Sequence, residues 1–210
     1  MEPVRIFNSI NPIVPWNKIY RRLGYRQSTT TLTERERKKI DGHIDYALSL
    51  LALRGAGRRL FVDNSGPSRI VLPDERVFTS SNLSTFIGNC REILLIGATG
   101  GSGITEAIAE DARRNNLTRG VVLDAVASEM VDAALDWLQN YFTGLLRRED
   151  RFLMKRRFSA GYGDFDLTNQ GIMYDMLDLK KIGVRITEHF ILIPEKSVTA
   201  VTGISETQRR

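Results

Sequence analysis

Apolar positions recur at helical spacing in two long stretches and gather into short unbroken runs elsewhere. In the first stretch Ile40, Ile44, Ala47, Leu48 and Leu51 share one face. Thr33-Glu34-Arg35-Glu36 precedes it and reads as a capping box, with Thr33 as N-cap and Glu36 reaching back. Gly55 and Gly57 are its expected stop. The second stretch starts at Thr118 and runs to Leu146, with Val122, Val126, Met130, Ala133, Ala134, Trp137, Leu138 and Tyr141 as a core-facing stripe. Between the two, Leu60-Phe61-Val62 and Ile70-Val71-Leu72 flank Asn64-Ser65-Gly66-Pro67 and predict a hairpin. A short helix begins at Ser80 or Ser81 and ends at Gly88, and Ile93-Leu94-Leu95-Ile96 is a buried strand. The glycine-rich run Gly97 to Gly103 then leads into a helix reaching Asn115-Asn116.

Beyond the long helix, Phe152 to Phe158 reads as extended, Thr168 to Leu179 as helical, and Lys180-Lys181-Ile182-Gly183 as a helix stop. Phe190 to Ile193 and Val198 to Ile204 are the last two strands, and Glu206 to Arg210 a frayed tail. Pro3, Pro12 and Pro15 break any helix near the start, so residues 1–32 are expected as an irregular arm packed on the body, with residues 33–210 as a single domain. Helices and strands in mixed order, with hairpin-like strand pairs, predict an α+β domain: a mainly antiparallel sheet with helices packed on it.

Composition narrows the chemistry. A hydrophobic share of 42% suits a globular core. One cysteine excludes an internal disulfide, Cys90 reads as a buried filler, and two histidines argue against a His/Cys metal site. The start shows no signal-peptide pattern and no run is long enough to span a bilayer, so a cytoplasmic protein without membrane contact is expected. The net charge of +5 comes mostly from arginines scattered on helix faces, which speaks against nucleic acid. The exception is Arg147-Arg148, Arg151 and Lys155-Arg156-Arg157, a basic patch suited to an acidic protein.

Two stretches concentrate chemistry. Gly97-Ala98-Thr99-Gly100-Gly101-Ser102-Gly103 follows a strand and opens a helix, as a nicotinamide-binding phosphate loop does, and Asp124 lies about 20 residues on. Here the aspartate does not end a second strand; helical spacing runs through it to Met130. The second stretch is Arg157-Phe158-Ser159-Ala160-Gly161-Tyr162-Gly163-Asp164. Its arginine can fork onto a carboxylate, its ring can face a cation, and its glycines let a ligand approach the backbone. Read as plain structure, it is a glycine-rich strand-to-turn junction with a surface ion pair.

The run RFSAGYGDF, followed by Gln170 and by IPEKSVTAVTGIS near the end, resembles the activation (reactivation) domain of cobalamin-dependent methionine synthase, and most closely its short, free-standing version. The likeness runs from about Leu23-Gly24-Tyr25 to the C-terminus. It implies the α+β fold above and a domain that binds S-adenosylmethionine. That domain presents the methyl group to cobalamin held by the partner, the cobalamin-binding module of methionine synthase, while a flavodoxin-like donor supplies an electron. It implies no nucleophile, general base or metal ligand in this chain, and no turnover without the partner.

By the same likeness Arg157 holds the ligand carboxylate, Ala160, Gly161 and Tyr162 line the adenosine side, and Gly163 and Asp164 shape the turn. Asp132 is the best match for an acidic residue that takes the amino group, with Glu129 and Asp136 as neighbours. Asp63 stands in for an acidic contribution from the N-terminal part, and Ser197 belongs to the second signature. Thr199-Ala200-Val201-Thr202 carries no aromatic where larger relatives have one. That departure keeps open a non-catalytic corrinoid-protein interaction module of the same fold, beside the nicotinamide-binding oxidoreductase suggested by the glycine loop.

Overall fold

The computed structural model describes residues 2–26, 30–64 and 66–207. In chain order these form β1 (Arg5–Phe7), α1 (Trp16–Arg22), α2 (Glu34–Leu50), β2 (Arg54–Phe61), β3 (Arg69–Val71) and β4 (Val77–Thr79). Then come α3 (Ser81–Ile87), β5 (Glu92–Thr99), α4 (Ser102–Arg113), α5 (Leu117–Leu146) and β6 (Phe152–Leu153). The last are α6 (Asn169–Met176), β7 (Arg185–Ile186), β8 (Leu192–Ile193) and β9 (Ser197–Ser205), with 3-10 turns at Arg147–Glu149 and Leu179–Ile182.

Five strands form one antiparallel sheet in the order β1-β2-β5-β9-β6, so the fold is α+β as expected. β5 is its spine, pairing with β2 from Glu92 to Thr99 on one side and with β9 on the other. Side chains alternate between faces along a strand, and here both faces are covered. Leu94, Ile96 and Ala98 point into a core shared with α2, α4 and α5. Ile93 and Leu95 point into a second core with Leu83 and Ile87 of α3, Met173 and Met176 of α6, and the turn at Leu179. This double burial explains why the 93–96 run is unbroken rather than alternating.

The α2 start is as its pattern predicts: Glu36 N–H donates to Thr33 Oγ1 at 3.3 Å and Thr33 N–H to Glu36 Oε2 at 2.9 Å. Its end is not at a glycine. Leu51 turns extended, and Gly55 and Gly57 lie inside β2. They are small because neighbours crowd them: a Cβ on Gly55 would sit 2.6 Å from Ile10 Cδ1, and one on Gly57 would strike the Phe142 ring.

The expected 60–72 hairpin is reduced to a single bridge, Asp63 to Val71. Leu60 and Phe61 belong to β2 and pair with β5, while β3 turns to β4. Local pattern favoured the short loop, but the long antiparallel β5 offered a full ladder. Ser65, in that turn, and 208–210 of the tail lie outside the described residues. The first 32 residues also carry regular structure: β1 pairs with β2 at the sheet edge, and α1 begins just after Pro15. Near the end, β8 keeps only Leu192–Ile193, because Phe190 takes a positive φ of 61° and turns the chain, and β7 pairs with it. Among the described residues no helix is long and apolar enough to cross a membrane.

Candidate functional site

α5 carries a row of carboxylates on the edge of its apolar stripe: Glu129, Asp132 and Asp136, three and four residues apart and therefore on one face. The extended segment after β6 runs beside this face and delivers Arg157 to it. Arg157 Nη1 donates to Asp136 Oδ1 at 2.5 Å and to Gln139 Oε1 at 2.6 Å, while Nη2 stands 3.8 Å from Asp132 Oδ1. The Arg157 side chain is only 20% exposed. Around it lies an open groove of about 450 Å³, lined by Phe86, Asp136, Lys155, Arg156, Arg157 and Phe158. Phe86 and Phe158 put tilted rings 5.9 Å apart along one wall.

The structure thus joins Arg157 with Asp132 but gives the closer contact to Asp136. Glu129 turns instead to Arg22, at 3.5 Å, and Asp63 is held in its bridge to Val71. Gln139 and Phe86 are partner and groove residues that the sequence pattern did not single out, and Lys155 stands out there only as part of the basic patch. The signal for Gln139 was its spacing, three residues past Asp136 and so on the same helical face.

Residues 158–165 are fixed at both ends. Phe158 exchanges two backbone bonds with Val201 of β9, at 2.9 and 2.8 Å. Gly161 N–H donates to Phe165 O at 2.7 Å, and Phe165, fully buried, packs edge-on against Phe78. Gly161 and Gly163 take φ of 87° and 58°, a region that side chains disfavour, so the bend needs them. Asp164 is an anchor: its carboxylate accepts from Ser80 Oγ at 2.5 Å, Ser81 N–H at 2.7 Å and Asn82 N–H at 3.2 Å, capping α3. Those bonds, the Ser80 hydroxyl first, hold its carboxyl below the usual aspartate range. Ala160 is buried, whereas the Tyr162 ring is 70% exposed at the tip of the bend. Ala160 through Asp164 do not line the Arg157 groove.

The glycine run 97–103 sits differently from a phosphate loop. It ends β5, whose neighbours are both antiparallel, so no parallel β–α–β unit exists around it. Gly100 N–H donates to Lys196 O at 2.8 Å, Gly101 N–H to Thr99 Oγ1 at 3.1 Å, and Ala52 N–H to Gly100 O at 2.9 Å. The Gly100 and Gly101 amides are therefore already occupied. Asp124 is on α5, not at a strand end, and pairs with Lys196 at 2.6 Å. Lys196 also donates to Ser128 Oγ, and Ser197 to Thr99 Oγ1, so the second signature stitches β9 to α5 and β5. Thr199 to Thr202 are all buried within β9, and Thr199 donates to Gln170 Oε1 at 2.9 Å.

Sheet order, the long helix across one face and the bend docked on α3 define an activation-domain-like α+β fold. Among solved structures the chain matches the crystal structure of the MetH reactivation domain bound to AdoHcy, with a TM-score of 0.71. The match covers 99% of this chain and 80% of that one at 16% sequence identity, so what the two share is the fold. No family model matches the chain, and no curated protein does.

Proposed function

We propose that this protein is a reactivation component of cobalamin-dependent methionine synthase that binds S-adenosylmethionine at the Arg157 groove. The observation that carries the reading is the fold shared along 99% of the chain with a reactivation domain crystallised with the demethylated form of that ligand. The donor set fits an amino-acid zwitterion: a guanidinium for the carboxylate beside Asp132 and Asp136 for the ammonium.

The bound sulfonium supplies a methyl group that a cobalt nucleophile on the partner can accept. What this chain adds is position. Arg157 orients the amino-acid tail by exchanging part of its hold on Asp136 for the ligand carboxylate. Phe158, pinned to β9, keeps a fixed wall of the groove, and the bend beyond it, anchored on α3, holds Tyr162 outward. No proton transfer by the protein is required. The acceptor is the cobalamin-binding module of methionine synthase, and the basic residues near the groove, Lys155 and Arg156 among them, suit an acidic donor such as a flavodoxin.

Calorimetry with S-adenosylmethionine, alone and with the cobalamin protein, tests this. The wild type releases heat in at least one setting, and Arg157→Ala releases none; silence from the wild type in both settings overturns the reading. A second reading has its own observation: Arg157 is already satisfied by Asp136 and Gln139, and no aromatic interrupts Thr199–Thr202. On that reading the chain is a non-catalytic corrinoid-protein module, and it binds the cobalamin protein equally with and without S-adenosylmethionine.

A further inference from the structure

We propose that the cleft between α1, the connection after it and the first turn of α2 binds a small ligand through a di- or triphosphate group. The cleft holds about 830 Å³, within the range of small-molecule sites, and three guanidiniums, Arg21, Arg26 and Arg37, line it together with Tyr20 and Tyr25. Among the described residues no carboxylate lines it. Several arginines elsewhere in this molecule are held by acids: Arg59 by Glu92 and Glu149, Arg76 by Asp74 and Asp175, Arg119 by Asp111, Arg151 by Glu206. Among the described residues Arg21, Arg26 and Arg37 form no ion pair within 4 Å.

Asp41, one turn past Arg37 on α2, is occupied, accepting from the Tyr20 hydroxyl, and Glu36, next to Arg37, accepts from Thr33. Burial foremost, then the bond to Asp41, pushes Tyr20 up to about 12, against an opposing pull from Arg37 close by. The hydroxyl therefore stays a neutral donor at physiological pH. Arg26 N–H donates to Thr30 Oγ1 at 3.2 Å and Thr30 N–H returns to Arg26 O at 2.9 Å. Tyr20 and Tyr25 meet edge-on, with centroids 5.6 Å apart, and leave a ring face for a planar group.

Three guanidiniums without an acidic partner, Arg37 among them beside the Tyr20 hydroxyl, line one concave surface and raise a positive potential that an isolated surface arginine does not. Phosphate oxygens match the planar fork, and a diphosphate spans more than one guanidinium. A single carboxylate would leave two of the three charges uncompensated. This site is separate from the Arg157 groove and does not depend on the function proposed above.

Calorimetry on the full chain at low ionic strength, with pyrophosphate, ADP and adenosine as probes, decides it. Pyrophosphate and ADP bind saturably, one per chain, and adenosine does not. Tighter ADP marks a nucleotide as the source; equal affinities mark a plain polyphosphate, and both support the phosphate claim. The exposed pair Arg21→Gln and Arg37→Gln together lowers affinity at least about tenfold. Arg76→Gln, whose side chain is held by acids elsewhere, leaves affinity unchanged. Absence of saturable binding by both phosphates, adenosine binding as tightly as ADP, or full affinity in the double variant overturns the proposal.

Discussion

The two glycine-rich turns, 97–103 and 159–164, look alike as strings and are opposites in space. In the first the glycines make room for the chain itself. A Cβ on Gly97 would come within 2.9 Å of Leu179 Cδ2 and 3.3 Å of Leu177 Cδ1, and one on Gly101 within 3.1 Å of the Ala52 Cβ. In the second, a Cβ on Gly161 would meet only Leu167, at 3.5 Å, so Gly161 is there for the backbone angle and not for space, while a Cβ on Gly163, also at positive φ, would meet the end of the Asn82 amide at 2.6 Å. A turn whose Gly100 and Gly101 amides are paired and whose glycines lie against Leu179 and Ala52 has little left for a ligand. A bend that holds an awkward angle with one exposed ring at its tip keeps a surface to offer.

That contrast predicts the largest difference between two small substitutions. Gly97→Ala overpacks the second core and lowers unfolding stability by about 2 kcal/mol. Gly161→Ala pays left-handed strain of roughly 1–2 kcal/mol, partly offset by a stiffer unfolded chain, for a net loss of about 1 kcal/mol. Urea unfolding with unchanged m-values reads both. Equal losses would erase the distinction between the turns.

Next in size is Asp164→Ala, which leaves the Ser80 cap on Leu83 N–H but removes the bonds to Ser80, Ser81 and Asn82 that tie the bend to α3; its loss is smaller than that of Gly97→Ala. The sign with pH is fixed. A carboxyl whose folded pKa is depressed adds stability that is complete above its unfolded value, about 3.9, and disappears as pH falls through the folded value. The gap between wild type and variant is therefore full at neutral pH and closes below about pH 4. Other depressed carboxyls, such as Asp111 beside Arg119, cancel in the difference. A gap that persists undiminished in acid means the bonds to Ser80, Ser81 and Asn82 do not anchor the bend.

Much of the fold was legible because it is local. The Thr33 cap, the α5 stripe and the Ser80 start depend on residues within a turn or two of each other, and they fall where the pattern puts them. The 60–72 hairpin and the Gly55 stop failed because long-range pairing with β5 and packing on Phe142 override local signals. The candidate site divides the same way. The RFSAGYGD stretch is visible as a string. That Asp136 takes Arg157 more closely than Asp132 depends on how a distant segment lies against α5, which spacing leaves open between two carboxylates one turn apart.

Tyr162 carries the smallest effect on stability and the sharpest on the comparison. Its ring is exposed, touches no core and contributes only the Tyr162–Phe165 bridge through its backbone, which alanine retains. Tyr162→Ala therefore changes unfolding stability by less than about 0.5 kcal/mol. If the ring lies against the sulfonium, its loss removes a cation–ring contact of about 0.5–1 kcal/mol at an exposed site, a two- to fivefold fall in S-adenosylmethionine affinity by calorimetry. Uncharged S-adenosylhomocysteine should lose less, because it has no sulfonium. Equal losses for both ligands mean the ring acts as an apolar wall. No loss for either moves Tyr162 out of the ligand site and leaves the tip of the bend as a surface for the cobalamin protein.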